Sequence, residues 1–199
     1  MIAREAFWYL MPLIVITAIL QYYFPLFALP LWLVVFAVMY LFRTPEQVLS
    51  SDPLGLVCPV DSTVQSISKA MDPYLNRESI RIDFEMNLTD PYTLLSITEG
   101  KIMNFWMRRP DSNNQDRIRA IWIQTDEQDD TVMEVHPSRS GQVMCYSAAG
   151  ERVGQGKKCG FLPFGAKVVV YLPKECRVDV TEGQRVCGGK DIIARWPRS

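Results

Sequence analysis

The sequence predicts a mainly β protein behind an N-terminal membrane helical hairpin, and three observations predict it. No charged residue occurs from Ala6 to Phe42. Two later stretches carry strand patterns: Ser79 to Leu88 alternates apolar and polar residues, and Val168-Val169-Val170-Tyr171-Leu172 is a short continuous apolar run. Finally, Gly150-Glu151-Arg152-Val153-Gly154-Gln155-Gly156-Lys157 returns as Gly183-Gln184-Arg185-Val186-Cys187-Gly188-Gly189-Lys190, an internal duplication. The chain therefore divides into a hairpin anchor over 1–43 and a β-rich barrel or sandwich domain over 44–199, with a duplicated hairpin motif.

A single helix spanning the uncharged run would reach roughly 55 Å, well past the ~30 Å hydrocarbon layer of a bilayer. The run therefore folds back. Its break is Gln21-Tyr22-Tyr23-Phe24-Pro25, where a polar residue, interfacial aromatics and a proline meet. The legs, Ala6 to Leu20 and Pro25 to Phe42, are both short for a full crossing, so the hairpin is spanning or re-entrant. A cleaved signal peptide is disfavoured by the length of the run and by Arg43-Thr44-Pro45, which offers no small-residue cleavage site. A hairpin buried in a soluble core is disfavoured by the same apolar length. Arg4 and Arg43 flank the run, with Glu5 and Glu46 nearby, and the positive-inside tendency places the domain on the cytoplasmic face of the inner membrane.

Past the polar connector, Leu56 to Val64 enters the β domain through the turn pair Asp61-Ser62. In Ser79 to Leu88, Ile80, Ile82, Phe84, Met86 and Leu88 fall on one side, opposite Arg81, Asp83, Glu85 and Asn87, as in a half-buried strand. Ile102 to Trp106 and Ile118 to Ile123 read as further strands, separated by the polar loop Arg108 to Asn114. Asp126 to Asp130 reads as an exposed acidic turn. Each duplicated copy offers glycines for positive φ at a tight turn feeding a strand. Val168 to Leu172 suits a strand covered on both faces, and Val178-Asp179-Val180 one open to water on one side. The two copies are expected to pack against one another as halves of a small barrel or sandwich.

A formal net charge of −1 gives no case for nucleic acid, which is bound through an excess of Lys and Arg on one face. The five cysteines contain no C-x-x-C pair and suit free thiols in a reducing compartment. The sole histidine, His136, forms no metal-ligand spacing with them and reads as a loop or structural residue.

The string Gly160-Phe161-Leu162-Pro163-Phe164-Gly165-Ala166-Lys167-Val168, with Tyr171-Leu172-Pro173 and Gly183…Val186…Gly189, resembles the C-terminal part of short bacterial phosphatidylserine decarboxylases. Phe42-Arg43-Thr44-Pro45 and Pro59-Val60-Asp61-Ser62-Thr63-Val64 resemble that family's first segments, which puts Asp61 on its acidic residue. Without the resemblance, Asp61 is an ordinary turn aspartate. Met86 to Gly100 lies without a gap over a further family motif, with Asp90 and Gly100 in agreement. There the family's histidine falls on Tyr92 and its Asn-Arg pair on Leu94-Leu95. The resemblance thus marks Asp61, Tyr92, Gly165 and Ala166 as the catalytic positions.

The resemblance also implies a chemistry. In the family a serine hydroxyl attacks the preceding glycine carbonyl, and β-elimination and hydrolysis leave an N-terminal pyruvoyl group, which serves as the electron sink of decarboxylation. Here the serine position is Ala166, which has no Oγ, so the pyruvoyl cofactor is expected not to form. No glycine in the chain precedes Ser, Thr or Cys, so no Gly-Ser-type site has moved elsewhere. Ser50-Ser51, beside the anchor, is a formal alternative only. An alanine introduced to trap an uncut proenzyme would account for Ala166 alone, whereas a naturally degenerate relative also accounts for Tyr92, Leu94 and Leu95.

Three functions stand at this point. One is a non-cleaving relative that binds membrane phospholipid or a partner, such as an active paralogue or a second copy of the chain. Another is an enzyme of phosphatidylethanolamine synthesis. The last is a tethered interaction module without lipid selectivity.

Overall fold

A computed structural model describes residues 7–23, 25–41, 52, 54–110, 118–138 and 143–197. The chain forms two units, Met1–Glu46 and Gln47–Ser199. In the first, α1 (Phe7–Tyr23) and α2 (Pro25–Leu41) pack as a hairpin joined by the Trp32 indole N–H, which donates to Gln21 Oε1 (3.0 Å). Gln21 to Tyr23 belong to α1, so the break falls later than the expected start of the turn. At 17 residues each, the helices reach about 25 Å. Among the described residues no helix is long and apolar enough to cross a membrane, so the membrane-spanning form of the hairpin finds no support here. Arg4, Arg43 and Ser50-Ser51 lie outside the described residues.

The second unit is mainly β. Its strands are β1 (Gly55–Val57), β2 (Ser62–Asp72), β3 (Arg77–Glu85), β4 (Thr93–Leu95), β5 (Gly100–Trp106), β6 (Arg119–Gln124), β7 (Asp130–Pro137), β8 (Met144–Cys145), β9 (Arg152–Val153), β10 (Lys158–Phe161), β11 (Ala166–Pro173), β12 (Arg177–Val178), β13 (Arg185–Val186) and β14 (Ile192–Arg195). They make an eight-stranded antiparallel sheet, β13-β2-β3-β11-β7-β6-β5-β9, and two three-stranded sheets, β1-β14-β12 and β4-β10-β8. The large sheet is an open half-barrel, since its end strands do not pair with each other.

Alternation along the central strands builds two apolar layers. Val168, Val170 and Leu172 of β11 share the main core with Ile82 and Phe84 of β3, Met133 and Val135 of β7, and Ile121 and Ile123 of β6. On the other face Val169 and Tyr171 pack with Ala120 and Val132, and Tyr74, Trp106 and Trp122 cover them. The expectation that β11 is covered on both faces therefore holds. Leu88 does not extend β3: the strand ends at Glu85 and Leu88 is exposed, because Asp90 turns the backbone by accepting the Asn87 N–H (2.8 Å). The strand expected at Val178-Asp179-Val180 likewise stops at Val178.

The duplication reaches much further than the sequence repeat. The backbone bonds Gly183 N–H to Val64 O and Val64 N–H to Gln184 O recur as Gly150 N–H to Ile102 O and Ile102 N–H to Glu151 O. The β14–β1 register, Arg195↔Gly55, Ala194↔Leu56 and Ile192↔Val57, recurs in β10–β4 as Phe161↔Thr93, Gly160↔Leu94 and Lys158↔Leu95, with the same skipped residue. Even the bulges match, at Val64/Ser66 and at Ile102/Asn104. The unit is thus two interlocked halves, β1-β2-β3 with β11 to β14 and β4-β5-β6 with β7 to β10. They are related by an internal pseudo-two-fold that passes between β7 and β11.

This corrects the expected placement of the duplicated hairpins. They do not pack on each other: β9 and β13 sit at opposite ends of the large sheet. Their glycines keep the predicted role, with positive φ at Gly150, Gly156, Gly183 and Gly189.

At Gly100 a Cβ would collide with the Gln124 carbonyl across the β5–β6 pair. Gly100→Ala is therefore expected to destabilise the protein by about 1–3 kcal/mol, read as a lowered thermal midpoint with the fold retained. An unchanged midpoint would contradict this strand pairing.

Candidate functional site

The motif residues meet where β11 begins. Phe164 and Gly165 both have positive φ, 65° and 79°, which turns the chain sharply into β11 at Ala166. A non-glycine residue in that region costs of order 1 kcal/mol or more, so Phe164 is held there by its surroundings. The turn is clamped on each side. Gly165 N–H donates to Leu162 O (3.3 Å), Ser138 N–H donates to Gly165 O (3.3 Å), and Met86 N–H donates to Ala166 O (3.2 Å). The carbonyl at the would-be scission point thus accepts a backbone N–H, while the next side chain is a buried methyl.

Tyr92 is 1% exposed and lies between Phe161 and Phe164, with ring centroids 6.1 and 6.3 Å away. Its hydroxyl donates to Leu88 O (2.7 Å), and its carbonyl accepts Leu162 N–H (2.8 Å). Burial, and after it the Asp90 charge, raises the phenol's pKa, so this side chain stays neutral and serves as packing. Leu94 and Leu95 are buried in β4.

Asp61 stands in the bend before β2, and its Oδ1 accepts Gly188 N–H (2.6 Å). Burial pushes this carboxyl above its ordinary range and the Asp90 charge adds to the rise, while the Gly188 N–H and Arg185 hold it down. Asp90 is itself buried and paired with Arg185 of the duplicated motif. Asp61, Asp90, Arg185 and the Gly188 N–H therefore form one polar cluster, and Asn87 N–H ties Asp90 to the segment whose Met86 N–H grips Ala166.

Sequence reasoning missed Arg185, the Ser138 N–H and the strained Phe164. Arg185 had a signal, since it stands at the same place in its copy as Arg152. The other two are backbone geometry and leave no compositional trace.

His136 lies in β7, not in a loop, and pairs with the buried Glu134 (Nε2 to Oε1 2.7 Å), whose other oxygen accepts the Tyr171 hydroxyl (3.0 Å). His136 faces Lys167 across the β7–β11 pair, so its side chain projects on the sheet face opposite that of Ala166. Burial alone would raise the Glu134 carboxyl, but His136 and Arg109 outweigh it and hold Glu134 below its ordinary value. All five cysteines are free, with Cys58, Cys159 and Cys176 buried.

The phosphatidylserine decarboxylase profile matches residues 36–194, which covers both halves of the β unit and every site position above. The chain belongs to the phosphatidylserine decarboxylase family. It is 29% identical over 205 residues to the phosphatidylserine decarboxylase proenzyme of Nitrosomonas eutropha, covering 98% of this chain and 95% of that one. It is 30% identical to the proenzyme of Nitrosomonas europaea (86% and 83% covered) and 31% to that of Cupriavidus taiwanensis (84% and 82%). No solved structure matches the chain.

The pyruvoyl group implied for this decarboxylase family does not fit the residues present. Position 166 carries a methyl where a hydroxyl is needed, and the Tyr92 ring is packed against Phe161 and Phe164 with its proton given to Leu88 O.

Two outcomes are expected. With its folded pKa raised, Asp61 opposes folding once ionised. The cost is absent below the unfolded-state value near pH 4 and present above the folded value. Asp61→Asn should therefore raise the thermal midpoint at pH 7 and leave it unchanged below about pH 4; a variant less stable at pH 7 would contradict the burial argument. Tyr92→Phe should cost about 1 kcal/mol and Tyr92→Ala about 3–5 kcal/mol in denaturant unfolding, since only the second empties the packed site.

Proposed function

We propose that this chain is a member of phosphatidylethanolamine metabolism that has lost self-processing: a non-catalytic, lipid- or partner-binding relative of the decarboxylases. The observation that carries this reading is the buried methyl of Ala166 directly after Gly165. Every step toward a pyruvoyl group starts from an oxygen on that side chain, and none of the flanking residues supplies one in its place. Tyr92 points the same way, because it replaces a titrating ring with a packing one.

The hairpin supports a membrane location. Met11, Ile16, Leu29, Leu33 and Phe36 are exposed apolar side chains on α1 and α2, each more than half exposed. Helices of about 25 Å fall short of the ~30 Å core, which favours re-entrant insertion, or a locally thinned bilayer, over an ordinary crossing. In this reading the hairpin anchors the β unit at the cytoplasmic face of the inner membrane. The binding partner is then phospholipid, an active paralogue or a second copy.

One observation favours a second reading, an active decarboxylase arrested as its uncut proenzyme. The turn before position 166 is sharp and clamped, with positive φ at Phe164 and Gly165 and the Ser138 N–H on the Gly165 carbonyl. Ala166→Ser separates the two. If Tyr92 matters as argued, the single variant stays one polypeptide on a denaturing gel, and Ala166→Ser with Tyr92→His is cut. Fragments from Ala166→Ser alone would favour the arrested-proenzyme reading. Flotation of the wild-type chain with phosphatidylserine or phosphatidylethanolamine vesicles should exceed flotation with phosphatidylcholine alone; equal flotation would overturn lipid selectivity.

A further inference from the structure

The pseudo-two-fold gives the family site a mate. Tyr92, just before β4, corresponds to Leu54, just before β1; Asp61, before β2, corresponds to Glu99, before β5. The bond Leu162 N–H to Tyr92 O (2.8 Å) recurs as Trp196 N–H to Leu54 O (3.0 Å). Gly165, at φ 79°, corresponds to Gln128, at φ 67° before β7. The pair Asp90–Arg185 corresponds to Asp126–Arg152.

The two sites differ in being filled or open. Around Tyr92 the aromatic rings of Phe161 and Phe164 close the space. Around Leu54 a cleft of about 260 Å³ remains, lined by Thr98, Glu99, Thr125, Glu127, Gln155 and Trp196 among others. Its walls are fixed. Trp196 and Thr98 are buried, and the Gln155 amide donates to the Asp52 carbonyl (3.4 Å) and to that of Gly55, stapling the two sides together.

From this cleft we infer a second binding site, for a small organic ammonium ion, at the pseudo-two-fold mate of the family site. The buried Trp196 indole supplies an apolar wall of the kind that holds alkylammonium groups. Glu99 and Glu127 supply negative charge at the exposed rim, while the Asp126 charge is already met by Arg152. A cation gains from both features, a neutral ligand of the same shape only from the first, and an anion is repelled. The site is independent of whether the chain cleaves itself.

The test is calorimetric titration of the full chain in detergent at low salt with choline, and with its uncharged isostere 3,3-dimethylbutanol. Choline should saturate with a Kd on the order of 1 mM, and the alcohol should not saturate. Glu99→Gln with Glu127→Gln should weaken choline about five- to tenfold without moving the thermal midpoint, since both side chains are exposed. Trp196→Phe should weaken it several-fold, and Asp61→Asn should leave it unchanged. The inference is overturned by equal binding of the alcohol, by choline binding indifferent to the double variant, or by no saturation up to about 50 mM.

Discussion

The β3-β11-β7 ladder is the constraint on which the rest of the molecule depends. β11 pairs with β3 from Lys167 to Pro173 and with β7 from Ala166 to Tyr171, so neither of its edges is free. From Val168 to Leu172 its side chains are buried on both faces, in the main core and in the aromatic layer of Tyr74, Trp106 and Trp122. A one-residue slip would exchange the two layers and place Lys167 in the core. That register fixes the turn at Phe164-Gly165 and delivers the residue at 166 to one place with one orientation. The scaffold therefore positions whatever atom the sequence puts there, and here the atom is a methyl carbon.

The same ladder lies on the pseudo-two-fold, which explains how one architecture holds two unlike sites. Backbone hydrogen bonds, bulges and turns recur between the halves, because they follow from strand pairing and glycine placement. Arg185 recurs as Arg152, but most site side chains do not recur: Asp61 corresponds to Glu99, Tyr92 to Leu54, and Gly188 to Gln155. Chemistry is thus written in a handful of turn positions at strand entrances, while the strands themselves carry stability. The charged outer face belongs to the second role. Lys167 and Arg81 pair with Asp83, outweigh its burial and hold its carboxyl below the ordinary range. Their contribution, like that of Glu134, is present at neutral pH and is lost only as pH falls through those depressed values.

Much of this was legible in the sequence. Strand periodicity located β3, β5, β6 and β11, and the repeat of Gly-x-Arg-Val signalled duplication. Resemblance to the decarboxylases located Asp61, Tyr92 and Gly165-Ala166. The extent of the symmetry was not legible, because β1/β4 and β8/β12 share register but not residue types. Nor was the position of the copies, since a local repeat is silent on whether its two parts touch or sit at opposite sheet ends. Leu88 misled because alternation continued past Glu85, whereas the Asp90 carboxylate captured the Asn87 N–H and turned the chain. The short reach of the hairpin was legible too: Ala6 to Leu20 and Pro25 to Phe42 read as short for a crossing, and α1 and α2 agree at 17 residues each.

The central claim is that the chain cannot cut itself at Gly165-Ala166, and the mass of the purified wild-type protein measures this most directly. The account predicts one intact species near 22.8 kDa with an unmodified amine terminus. A smaller subunit that begins at position 166 and reacts with carbonyl reagents would contradict it.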